Sequence, residues 1–174
     1  KPQSITDYIT LPIHKMLPFI QWCKEHTDIC VLEWAEGNKI KYHQGISSSA
    51  AHISFNPKNS WFEVEGNIQI SDGQVISLQR LLELMRQNGQ QKYIQIGENE
   101  FVTLTNQLSR LLKRIDTVTS ESRSHLQMAP AAVSLLGDFL NDSSLNIEQN
   151  DSIKTLLQHI EECSNKTPYI GRAI

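Results

Sequence analysis

Three cations stand at helical spacing. Arg110, Lys113 and Arg114 fall at i, i+3 and i+4, which puts them on one face of an α-helix. The face opposite carries Leu108, Leu111, Leu112 and Ile115, so the charges point away from the core those side chains imply. Cations so placed can meet duplex phosphates, a contact that depends on salt and ignores base sequence. They can equally meet an acidic patch on an adjoining protein. Lys39 and Lys41 add charge on a predicted hairpin earlier in the chain. The plain alternative is an ordinary solvated helix face.

Other residue groups support less chemistry. Cys23, His26 and Cys30 invite a metal reading, because zinc takes four N or S ligands in a tetrahedron. A fourth ligand would have to come from His14, His43 or Cys163, and the spacing is that of no known zinc knuckle. Cys23 falls on an apolar helical stripe and Cys30 in an apolar stretch, so both read as packing thiols, and no metal ligand is assigned. No serine lies in a G-x-S-x-G elbow, and the six histidines are scattered, with His43 and His52 pointing outward on strands. Glu63 and Glu65 share one strand face and read as solvated. Trp22, Trp34 and Trp61 could stack unpaired bases, although a Trp among strands more often packs in the core or at its rim. Trp61 is expected to be partly exposed. None of the eight glycines is followed by Lys, so no G-x-x-x-x-G-K-[ST] loop can cradle ATP phosphates. No catalytic or cofactor-binding residue follows from the sequence.

The elements that must position these residues are legible in part. Residues 61–70 alternate, with Phe62, Val64, Ile68 and Ile70 on one face and Glu63, Glu65, Asn67 and Gln69 on the other, the period of a half-buried strand. Asp72-Gly73 supplies a turn. Ser77 is an N-cap for a helix with the stripe Leu78, Leu81, Leu82 and Met85, which Asn88-Gly89 stops. Residues 93–96 and 101–104 read as short strands, and Thr105 caps a second helix. Upstream, a helix is predicted from near Pro18 to His26. The apolar stretch 29–35, a Gly37-Asn38 turn, residues 39–44 and residues 51–55 follow as strands. Four successive strands with residues 61–70 predict an antiparallel meander with one apolar face, covered by the two helices. Residues 117–124 are polar and mark the expected boundary. Beyond them only helix is predicted, with stripes at Ala132, Leu135, Leu136, Phe139 and Leu140 and at Ile153, Leu156, Leu157 and Ile160. The fold class is therefore α+β, with an antiparallel β-meander covered by helices over residues 1–118 and a C-terminal helical segment over 119–174.

This series also carries a resemblance. Trp61-Phe-Glu-Val-Glu-Gly66, the turn and helix from Asp72 to Met85, the paired strands from Lys92 to Thr105, and the leucine-rich helix after Thr105 appear in that order. The series resembles the region before the ATPase motor in bacterial Swi/Snf-type, DEAD/DEAH-like helicase proteins. The likeness is good over roughly residues 29–118 and loose elsewhere. It implies an accessory domain without chemistry of its own, beside a motor in cis that hydrolyses ATP with magnesium and moves on double-stranded DNA. ATP and magnesium are thus expected only in that motor, and no ATP-binding residue carries over.

Bulk properties suit this reading. A chain of 174 residues can build one domain with a real core. A formal net charge of −3 exerts no global pull on nucleic acid. Three cysteines make no disulfide framework and suit a reducing cytoplasm. No apolar run approaches the ~20 residues that span a bilayer, so no membrane contact is expected. The first residue is Lys, which fits a fragment of a larger protein. The other reading the sequence supports is a protein–protein interaction module that does not touch DNA.

Overall fold

A computed structural model describes residues 10–36, 39–89, 92–122, 125–140, 146–148 and 151–166. The fold is α+β, with antiparallel-rich sheets, helices covering them and a helix after residue 150. The long alternating stretch forms β3 (Phe62–Ser71), with Phe62, Val64, Ile68 and Ile70 all buried. β2 (Ala51–Pro57) pairs antiparallel along one edge of β3. Two strands share the other edge. β8 (His125–Met128) pairs with Phe62, Glu63 and Val64, while β4 (Gln74–Ser77) pairs with Asn67, Ile68, Gln69 and Ser71. β7 (Thr119–Ser122) extends the sheet beyond β8, and β9 (Asn146–Glu148) lies parallel on the far side of β2. Of the four strands expected as a meander, only those at 51–55 and 61–70 pair with each other, as β2 and β3, and β4 forms where only a turn is expected.

Two amphipathic helices seal the apolar face. α2 (Leu78–Asn88) is capped by Ser77, whose hydroxyl accepts from the Arg80 N–H at 3.3 Å, and ends at Gly89, where φ is 63°. α3 (Asn106–Val118) is capped by Thr105, which accepts from the Leu108 N–H at 3.4 Å. Both caps and both leucine stripes are those the sequence predicts. Leu108, Leu111, Leu112 and Ile115 are at most 1% exposed. Burial of each is worth about 1.5–3 kcal/mol.

A second, three-stranded sheet lies beside the first. β1 (Lys41–Ile46) runs parallel to β6 (Glu100–Leu104), which pairs antiparallel with β5 (Ile94–Gly97). Its Ile94 and Val102 face the main core, while Phe101 faces a separate cluster with Leu17 and Ile20 of α1 (Ile13–Glu25). That makes β6 buried on both sides. The sheets are tied together by Glu100, which accepts from His43 Nε2 of β1 at 2.9 Å and from Gln74 Nε2 of β4 at 3.0 Å.

Four expectations are corrected. α1 starts at Ile13, a turn and a half before Pro18, which sits inside the helix. The ring of Pro18 is on the exposed side, and the buried Leu17, Ile20 and Cys23 offset the ~3 kcal/mol that an internal proline costs. Residues 29–35 form no strand, because β1 takes β6 as its partner rather than a hairpin neighbour. The Gly37-Asn38 turn lies outside the described residues. The polar stretch 117–124 is not a linker, since its middle is β7, paired with β8 in the large sheet. After Pro130 the chain forms a 3₁₀ segment (Pro130–Leu136) running into one turn of helix, α4 (Gly137–Leu140), before α5 (Asp151–Lys166). Three residues per turn bring Val133 and Leu136 inward and leave Leu135 exposed, unlike the 3.6-residue stripe expected. Val133, Leu136, Leu140, Ile153 and Leu157 join the same core as β3, so the described part of 119–174 is continuous with the sheet domain.

Gly66 marks the tightest approach in the sheet. A Cβ there would lie 2.6 Å from the His52 carbonyl oxygen and 3.2 Å from Ile53 Cα, both backbone atoms of β2. Gly66→Ala is expected to lower stability by about 1–3 kcal/mol, since strand backbones must part to admit the methyl. Gly137→Ala, where a Cβ meets nothing within 4 Å and the backbone is helical, should raise it by about 0.4–1 kcal/mol. Urea unfolding of the two variants checks both signs.

Candidate functional site

The period of α3 places its charges. With Leu108, Leu111, Leu112 and Ile115 inward, Arg110, Lys113 and Arg114 emerge together on the exposed side. Among the described residues no carboxylate lies within ion-pair distance of these three, or of Lys39 and Lys41. Asp116, on the same helix, faces Arg86 of α2, whose Nη2 is 2.6 Å from its carboxylate. The Arg86 Nη1 also reaches Glu121 of β7 at 3.4 Å, and Gln79 donates to the same carboxylate. Asp116, the acid on α3 itself, and Glu121 are therefore both engaged from the α2 side.

Lys39 and Lys41 are exposed too, but they belong to the approach to β1 and to β1 itself. Lys41 is held by its N–H bond to the Asn99 carbonyl at 2.8 Å, opposite Glu100 in the ladder. Burial alone would raise the Glu100 carboxyl, but the hydrogen bonds from His43 and Gln74, with the charges of His43 and Lys41, hold it below its ordinary 4.5. The five residues thus form one helix stripe and a separate pair at the start of an edge strand, with Lys39 before it and Lys41 in it.

Among the described residues, Cys23, His26 and Cys30 do not bring three ligand atoms together. Cys23 is buried, and a hydrogen bond with Cys30, followed by burial, pushes its thiol up to about 11. The His26 ring stacks on Trp22 with centroids 4.6 Å apart, and its Nδ1 lies 2.9 Å from the Trp22 carbonyl oxygen. Of the tryptophans, Trp22 is 42% exposed, while Trp34 and Trp61 are half-buried.

One cluster escapes sequence reasoning. On the polar face of the large sheet, Glu63, Glu65 and His125 bring three ligand-type atoms within 4.8 Å of one another. Glu63 is only 7% exposed, which the alternation of β3 does not foretell. Lys58, from the β2–β3 turn, reaches its Oε2 at 2.7 Å, and His125 Nδ1 of β8 reaches its Oε1 at 2.8 Å. Both carboxylate oxygens are thus occupied, and the Lys58 ammonium already stands where a cation would. The group reads as a brace between the hairpin turn and β8. A cleft of about 310 Å³ adjoins it where β3 passes from β8 to β4, lined by Glu65, Gly66, Ser77 and His125. No nucleophile–base pair is formed there among the described residues. No local period joins Lys58, Glu63 and His125, which lie 67 residues apart at the extremes, so the sequence carries no signal for the group.

Compared with known proteins, the chain matches no family model, no curated protein and no solved structure.

The brace gives a pH dependence. Its Lys58 hydrogen bond, opposed by burial and aided by the charges of Lys58 and His125, holds the Glu63 carboxyl below its ordinary 4.5. A carboxyl with a depressed folded pKa stabilises above its unfolded value and loses that contribution as pH falls through the folded one. Glu63→Gln should therefore melt lower than wild type at neutral pH. The gap should close once the pH has fallen well below 4.5, as a series of thermal melts would show.

Proposed function

We propose that this chain is a non-catalytic accessory domain of a bacterial Swi/Snf-type ATP-dependent DNA translocase. It positions or regulates the motor, or the duplex on which the motor moves. The observation that carries the reading is the outer face of α3. Three cations stand exposed there while the neighbouring acids Asp116 and Glu121 are drawn to Arg86. A rigid helix backed by fully buried leucines presents them at fixed spacing, which suits backbone phosphates rather than bases. The helices and paired strands on which the family resemblance rests are present over residues 61–118, in the order β3, β4, α2, β5, β6 and α3, with β4 added to the series expected. ATP and magnesium belong to the motor in cis, and the domain's own part is contact without bond-making. A cytoplasmic location fits such a parent. Among the described residues no helix is long and apolar enough to cross a membrane.

A second reading is favoured by a different surface. Phe19 is 49% exposed, Trp22 42%, Ile29 68% and Val31 81%, apolar side chains on α1 and the segment after it, with the Phe19 and Trp22 rings stacked. On that reading the domain is a protein–protein interaction module, with the motor or another chain as its partner and no direct DNA contact.

The two readings separate in one experiment. The triple variant Arg110→Ala/Lys113→Ala/Arg114→Ala should weaken duplex binding equally for all sequences and reduce the salt slope of log K by about three. It should also lower DNA-stimulated ATP hydrolysis by the parent protein. Unchanged DNA affinity and hydrolysis in the triple variant, with loss of hydrolysis on Trp22→Ala, would transfer the role to the apolar surface.

A further inference from the structure

The α3 stripe does not end at the helix surface. Lys113 also lines a cleft of about 180 Å³ between the end of α2 and the first half of α3, and Lys92 lines it from the other side. Asn106 and Ser109 add an amide and a hydroxyl, while Met85 and Ile94 supply an apolar floor. No lining residue carries a carboxylate. Beside Lys92, the Asn88 amide at the end of α2 donates to the Tyr93 carbonyl at 2.6 Å. The Lys92 ammonium stands 5.8 Å from the centre of the Tyr93 ring.

Lys92 and Lys113 are exposed cations from different elements that line the same cleft. An anion seated there would meet both charges, and the Asn106 amide and Ser109 hydroxyl can donate to its oxygens. We propose that this cleft binds one phosphate of the DNA backbone between Lys92 and Lys113. The assignment rests on the duplex-contact reading above and deepens it. Arg110 to Arg114 covers about 6 Å of helix, the rise of about two nucleotides along one strand. The cleft takes the phosphate adjoining those that the stripe meets, and Lys113 stands at the junction.

The test is a fluorescence-anisotropy titration of the 174-residue chain with a short mixed-sequence duplex, repeated from about 50 to 200 mM salt. Lys92→Ala should lower the magnitude of the salt slope by about 0.9, so that the affinity lost over that range shrinks by about threefold. Lys92→Arg should keep the wild-type slope, and thermal melts should show all variants folded. The cleft assignment is overturned, with the duplex reading intact, if Arg110→Ala lowers the slope and Lys92→Ala does not. Absence of any duplex binding by the wild type overturns both. Binding of poly-glutamate that Lys92→Ala weakens, with duplex binding indifferent to the same change, overturns the assignment in favour of a protein carboxylate.

Discussion

Alternation along β3 is the constraint from which the rest of the structure follows. Ten residues in one strand present Phe62, Val64, Ile68 and Ile70 to one side and polar groups to the other, and β2, β4 and β8 all hang on its two edges. A one-residue slip would exchange the faces and bury the polar set. Gly66 enforces the register from within, because the backbone of β2 comes too close there for any side chain. The apolar face then needs cover, and α2 and α3 supply it with stripes that leave their charged faces outside. The placement of the α3 cations is thus a consequence of core burial two layers away.

Wherever one short-range pattern both specifies and buries an element, the sequence is legible. β3, α2 and α3 each have a periodic apolar set and a local stop or cap, and Ser77, Thr105 and Gly89 act as their residue types suggest. Legibility fails where partner choice decides. Residues 29–35 have strand-like composition, yet the neighbouring β1 finds its partner in β6, nearly sixty residues later. β7 is the converse. Its Thr-Ser-Glu-Ser composition gives no apolar signal, because it is held by the ladder to β8 on the outer part of the sheet rather than by burial. The 3₁₀ segment after Pro130 has the residues of an α-helical stripe and a different pitch, and tertiary packing of Val133 and Leu136 selects between them.

The same distinction governs the functional surfaces. Arg110, Lys113 and Arg114 could be found because a helix of known phase carries them. The contribution of Lys92 could not, since it joins Lys113 across the gap between two helices. Nor could the brace on Glu63, which draws one residue from a turn, one from a strand and one from a strand more than sixty residues on. Sequence periodicity reports what a residue shares with its own element. Sites built between elements become visible only when the ladders and helix contacts are set.

A chain of net charge −3 can still offer a cationic face, and the pairing pattern explains how. At physiological salt a charge is felt over roughly 8 Å, so the balance within one helix turn matters more than the total. Asp116 of α3 and Glu121 of the following β7 both lean on Arg86. Elsewhere Glu63 is held by Lys58, Glu100 by His43, and Glu83 by Arg80. Each pair on a half-exposed surface adds little to stability. Their collective effect is one of placement, for every acid engaged locally is one fewer to neutralise Arg110, Lys113 and Arg114. Removal of Arg86 would therefore act on the stripe without touching it, by releasing Asp116, a carboxylate on the same helix.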